Sequence, residues 1–205
     1  MSSLYNQNQL VAKLDSLRNL PAETEVVEFK EAKNDYSFEK IGKYFSALSN
    51  EANLKEKPEA WLIFGVENKK HSIVGSHYRR TSRAHLDSLK AEIANKTDPA
   101  TTFIEIYELN LPAGRVVMFQ IPPAPKGIPI ACDGHYYGRN NESTVPLGIE
   151  KIDRIRGQAI NKDWSSSICE DATLNDLDPE AIQFAREKYV LKNPKLRSEI
   201  VTGTT

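Results

Sequence analysis

The chain has 205 residues, 40% of them hydrophobic and 27% charged, which suits one well-filled core with an appendage, or two small domains. Its net charge of −1 excludes a uniformly basic coat bound to nucleic acid by salt-driven attraction, although local basic clusters still act because fields are local. No apolar run reaches the roughly 20 residues of a membrane span, and the start MSSLYNQNQL lacks the basic and apolar regions of a signal peptide, so a cytoplasmic protein with no membrane contact is expected.

Leu10, Val11, Leu14 and Leu17 recur at helical spacing and predict a helix over residues 8–20 that stops before Pro21. Residues 25–31 alternate instead, with Val27 and Phe29 facing one way and Glu28 and Lys30 the other, as on a strand. Ser37 is placed to cap a second helix whose apolar stripe is Phe38, Ile41, Phe45 and Leu48. Residues 53–59 are polar, contain Lys57-Pro58-Glu59 and read as a loop. Residues 61–66 form a continuous apolar run of strand length, as a central buried strand requires. A polar turn over 67–71 and a short returning strand over 72–74 follow.

Leu86, Leu89 and Ile93 mark a third helix that ends near Asp98-Pro99. Residues 101–109 and 115–121 are β-rich and flank Pro112-Ala113-Gly114, which predicts a hairpin. Asp133-Gly134, between 130–132 and 135–139, is the strongest hairpin signal in the chain. Ile149, Ile152 and Ile155 place a helix over 147–158. Beyond residue 158 the sequence turns polar, until Asp178-Pro179-Glu180 sets cap, first-turn proline and acid in order for a helix reaching Leu191. The order of elements predicts an α/β or α+β fold, a mixed twisted sheet with flanking helices, over residues 1–160. Residues 161–205 then form a polar linker and helical tail, or the start of a further domain.

The chemically suggestive stretch is Glu23-Thr-Glu-Val-Val-Glu28-Phe29-Lys30. On a strand, Glu28 and Lys30 project from one face about 7 Å apart. Glu23 precedes the strand, and Glu67 emerges where the central apolar strand ends. If the two strands are neighbours, three carboxylates and a lysine converge, and hard oxygen ligands so placed bind a divalent cation. Such a metal polarises a phosphodiester while the lysine steadies developing negative charge. Glu and Lys alternating on a strand are also the ordinary wet face of a half-buried sheet, and spacing alone does not separate the two readings.

Glu28-Phe29-Lys30, the helix Ile41-Gly-Lys-Tyr-Phe-Ser-Ala-Leu-Ser-Asn50, Trp61-Leu-Ile-Phe-Gly-Val66, Ile73-Val-Gly75, Ile121-Pro122, Pro129 and His135-Tyr-Tyr-Gly-Arg139 together resemble the Schlafen Alba-like domain. The likeness is to the bacterial branch, in which this module heads larger proteins described as ATP-binding proteins or transcriptional regulators. Animal members form an endoribonuclease acting on transfer and ribosomal RNA, with two glutamates and an aspartate at a metal site. The resemblance implies Glu23, Glu28 and Glu67 as the ligands of a magnesium or manganese ion, with Lys30 as electrostatic helper. Two departures stand out: Glu67 replaces the family's Asp, and a charged loop over 51–59 replaces its small Gly-Gly pair. The animal nuclease pairs two lobes into a clamp, so a homodimer is the expected source of a second one.

The remaining signals are weaker. Arg79, Arg80 and Arg83 are the candidate phosphate contacts, Tyr137 and Arg139 the candidates for stacking and phosphate grip, and Lys151, Arg154 and Arg156 a further basic run. Cys132 and Cys169 lie outside any CxxC pattern and read as buried or idle thiols. His71, His77, His85 and His135 lack close-spaced ligand partners. Residues 65–70 only mimic the tail of a phosphate loop, so ATP binding finds no support here. Two functions stay open: a metal-dependent endoribonuclease, or a non-catalytic RNA- or DNA-binding regulatory module of a longer protein.

Overall fold

A computed structural model describes residues 5–20, 24–158, 173 and 176–194. The chain divides into two units, Met1–Ile160 and Asn161–Thr205. The first unit begins with α1 (Gln7–Arg18), set by a reciprocal cap in which Asn6 accepts the Gln9 N–H and the Gln9 side chain accepts the Asn6 N–H. The helix ends two residues before its expected limit, and its last residue, Arg18, is tied to His71. Its Nε donates to the His71 carbonyl at 2.6 Å, and His71 Nδ1 meets the Arg18 carbonyl at 2.9 Å.

Four strands make the central sheet, in the order β1 (Val27–Lys30), β2 (Ala60–Phe64), β5 (Gly114–Ile121), β4 (Glu105–Leu111). β1 runs parallel to β2, with Glu28 opposite Leu62 and Lys30 opposite Phe64, and the other pairs are antiparallel. The mixed sheet is therefore as expected, and its β4–β5 hairpin turns on Pro112-Ala113. Leu10, Leu14 and Leu17 of α1 cover one face, over Phe29, Trp61, Ile63 and Met118. The other face carries Leu62, Phe64 and Phe119. It is covered by α2 (Phe38–Leu54), through Ile41, Phe45 and Leu48, and by α3 (Arg83–Ala94), through Leu86, Leu89 and Ile93.

α2 begins at the predicted Ser37 cap but runs on to Leu54, so the expected loop over 53–59 shrinks to 55–59, and Glu51 is helical and fully buried. The reason is a second, antiparallel sheet on the far side of the helix, in the order β3 (Thr97–Asp98), β6 (Ala131–Cys132), β7 (His135–Asn140), β8 (Ser143–Pro146). β3 and β8 have no clear sequence signal. The β6–β7 turn is the predicted Asp133-Gly134, both at positive φ of 47° and 77°. The expected returning strand over 72–74 reduces to a single bridge between Val66 and Ile73. α4 (Ile149–Arg156) falls inside its predicted span, and Cys132 is buried, which pushes its thiol up to about 11. Cys169 lies outside the described residues.

In the second unit, α5 (Pro179–Lys192) starts at the predicted Asp178 cap and has no buried residue. No helix among the described residues is long and apolar enough to cross a membrane.

Glu59 ties α1 to the sheet. It accepts the Tyr5 hydroxyl at 3.0 Å and the Trp61 indole N–H at 3.1 Å, takes a bond from the Gln120 amide, and pairs with Lys13 at 2.7 Å. Burial alone would raise its pKa, but the bonds from Lys13, Gln120 and Tyr5 outweigh burial and hold it below the ordinary 4.5. A depressed carboxyl stabilises the fold fully above its unfolded pKa, and that contribution is lost as pH falls through the folded value. Glu59→Gln is expected to lower the Tm at neutral pH by about 5 °C. The gap to wild type should close below about pH 4 in thermal unfolding across a pH series.

Candidate functional site

β1 is an edge strand, and its Glu28 and Lys30 lie on the side facing α2, where alternation places them. Glu28 is only 1% exposed. Its Oε1 pairs with the Lys30 ammonium and its Oε2 with the guanidinium of Arg139, which is itself 2% exposed and reaches across from β7. Lys30 Nζ also sits 5.5 Å from the centre of the Tyr44 ring on α2. Burial, and then the Glu28 charge, push the Tyr44 hydroxyl pKa up.

A second buried carboxylate stands one helix away. Glu51 Oε1 accepts the Arg139 backbone N–H at 2.8 Å and pairs with Lys151 of α4, whose Nζ also donates to the Arg139 carbonyl at 2.8 Å. Gly138 makes room for this contact: a Cβ there would lie 3.1 Å from Glu51 Oε1 and 2.7 Å from the Leu147 side chain. Arg139 is thus held through its side chain, its N–H and its carbonyl.

Beside this knot opens a cleft of about 210 Å³, lined by Lys55, Arg139, Asn140, Asn141, Lys151 and Arg154, with Glu25 and Glu51 among them. Glu25 is paired with Lys55 at 3.3 Å. The exposed Arg154 makes no ion pair among the described residues. The cleft therefore offers donors for an anion, with its two carboxylates already matched to cations.

The Schlafen, AlbA_2 family profile matches residues 23–150. The chain belongs to that family. No curated protein matches the chain. Among solved structures, the DIP2311 protein from Corynebacterium diphtheriae is similar, with a TM-score of 0.51 and 21% identity, covering 88% of this chain and 34% of that one. The chain thus spans about a third of that protein's length, and the likeness bears on fold alone. The N-terminal domain of a RecG-related protein from Nitrosomonas europaea aligns at a TM-score of 0.44 with 19% identity, covering 66% of this chain and 89% of that one.

The Schlafen, AlbA_2 match spans Glu28, Lys30, Glu51, Glu67 and Arg139 but stops just short of Lys151 and Arg154. Glu23 lies outside the described residues. Glu67 does follow β2, but its Oε2 accepts the Ser72 hydroxyl at 2.9 Å within its own turn. Among the described residues no three His, Cys, Asp or Glu side chains are grouped to hold a metal ion. A hard cation needs carboxylate oxygens with charge to give. Both oxygens of Glu28 already serve cations of the chain, so the described donors do not fit a divalent metal.

The predicted phosphate contacts are scattered in role. Arg79 forks onto Glu92 at 2.8 and 2.7 Å and donates to the His85 carbonyl at 3.0 Å. Arg83 pairs with Asp87 at 3.1 Å and Glu105 at 3.3 Å. Arg80 is exposed, and among the described residues its guanidinium meets His77 Nδ1 at 3.0 Å. Tyr137 is half-buried, with its N–H held by Ser46 and its ring 5.9 Å from Lys43 Nζ. Arg139, predicted as a phosphate grip, lies in the interior instead, where it pairs with the buried Glu28. Sequence reasoning missed Glu51. Its signal was the helical repeat running on from Leu48 to Ala52, which carries Glu51 into the core. Arg79→Ala is expected to lower the Tm by about 4 °C through loss of a bidentate, partly buried pair, and Arg80→Ala by no more than about 1 °C, both read by thermal unfolding.

Proposed function

We propose that this domain binds nucleic acid, gripping the phosphate backbone at the cleft lined by Lys55, Asn140, Asn141, Lys151 and Arg154. The observation that carries the reading is the convergence of these donors on one hollow whose two carboxylates are already paired. Membership of a family with nucleic-acid-directed members agrees with it. A chain of net charge −1 attracts nucleic acid through a local patch only, so the affinity is modest and weighted toward phosphate rather than base contacts. Arg80, the exposed member of the predicted arginine trio, is a secondary contact in this reading.

The endoribonuclease reading asks more of the molecule. It needs Glu23, Glu28 and Glu67 together on one magnesium or manganese ion, and Glu28 freed from Arg139. A second lobe from a homodimer would add cations but would not change that requirement. The regulatory-module reading needs neither step.

Fluorescence anisotropy with a short single-stranded RNA or DNA, in chelator and at low salt, tests the proposal. Binding in the micromolar range is expected, falling steeply with salt at about −0.7 per phosphate contact in the log–log slope. Arg154→Ala should weaken it about three- to tenfold for every sequence alike and flatten the slope by close to one contact. Undetectable binding at low salt, or binding indifferent to Arg154→Ala combined with Lys55→Ala, would overturn the proposal. RNA cleavage that requires manganese and vanishes with chelator would favour the nuclease instead.

A further inference from the structure

We infer that Glu28, which the family resemblance sets among metal ligands, is in this chain a structural anchor. The chain's own cations, Lys30 and Arg139, take up its two oxygens, and the pair with Arg139 clamps β7 to β1. This holds whether or not nucleic acid binds at the neighbouring cleft.

A carboxylate that is 1% exposed survives as an anion only if cations and donors replace the water it has lost. Glu28 has one cation on each oxygen, Lys30 on Oε1 and Arg139 on Oε2. The guanidinium on Oε2 would repel an arriving metal ion and cannot shed its proton to make way. Nor can Arg139 swing aside easily. Its N–H is tied to Glu51 at 2.8 Å, its carbonyl to Lys151 at 2.8 Å, and its strand to α2, where the Asn50 amide reaches the Tyr137 carbonyl at 2.9 Å. β1 belongs to the central sheet and β7 to the second sheet, 111 residues away in the chain. The pair therefore joins the two sheets directly.

The test combines a double-mutant cycle with metal titration of the full chain. Glu28→Gln and Arg139→Met should each lower the Tm by roughly 10 °C, since each strands a buried charge or donor. The double variant should lose clearly less than the sum of the two. Manganese(II) at millimolar concentration should leave the wild-type Tm unchanged and give no bound-ion signal in electron paramagnetic resonance. The clamp is overturned by single variants that keep the wild-type Tm, or by losses that simply add. It is also overturned by a manganese signal in wild type that Glu28→Gln removes. Should the single variants fail to fold, a folded double variant supports the clamp. Should that fail too, the wild-type manganese measurement decides alone.

Discussion

The arrangement depends on one constraint: α2 is buried on both sides, so its polar face must find partners without water. Ser46, Ser49, Asn50 and Asn53 are each 8% exposed or less, and each bonds to backbone beyond the helix. Ser46 and Asn50 both donate to the Ile130 carbonyl, at 2.7 and 3.0 Å, and Asn50 Oδ1 accepts the Ile130 N–H at 2.8 Å. Ser49 and Asn53 reach the carbonyls of Pro122 and Ala124, at 2.7 and 2.8 Å. These bonds satisfy a connecting segment that would otherwise carry unpaired carbonyls into the interior. They also set the second sheet at a fixed distance and register from the first. Directional partners specify position in a way that apolar contact does not.

That placement decides the electrostatics. With β7 pinned by Asn50 and Ser46, Arg139 is delivered to Glu28 and its backbone to Glu51. Among the described residues, the knot sets Glu28 and Glu51 against Lys30, Arg139 and Lys151. Buried pairs of this kind return little net stability over an apolar core, because both charges must first leave water. What they confer is geometry. The three bonds on Arg139 fix the end of β7, and so hold Asn140 and Asn141 beside Lys151 and Arg154 at the cleft. The exposed Arg154, which makes no ion pair among the described residues, is the cation this cleft presents to an approaching phosphate.

Much of the central fold was legible in the sequence. Ser37 and Asp178 are short polar side chains able to hold a free N–H, and they start helices where predicted. The run over 61–66 is apolar on both sides because β2 is covered by helices on both faces. The second sheet was half hidden. Asp133-Gly134 announces its hairpin through φ values that few other residues accept, but Thr97–Asp98 is too short to show a period, and Ser143–Pro146 is too exposed to need one. The buried role of Glu51 was hidden for a different reason. Glutamate reads as surface until its partners are known, and both of them, Arg139 and Lys151, lie nearly a hundred residues further on.

Glu28-Phe29-Lys30 is compatible with two opposite roles. Alternation correctly puts Glu28 and Lys30 on one face, and Glu28 and Lys30 do touch. A carboxylate and an ammonium on a strand edge still leave the second oxygen to be assigned. Its occupant is chosen by whatever the rest of the fold brings within reach. If that face opened to solvent, the second oxygen would be available to a hydrated cation, and the motif would behave as one limb of a metal site. Here the polar face of α2 draws in a strand carrying a guanidinium, and the occupant becomes covalent to the chain. The difference lies in Arg139 and in the bonds that aim it, and no residue of the motif itself records it. Motif spacing therefore limits what this edge can do, and the second sheet selects between the possibilities.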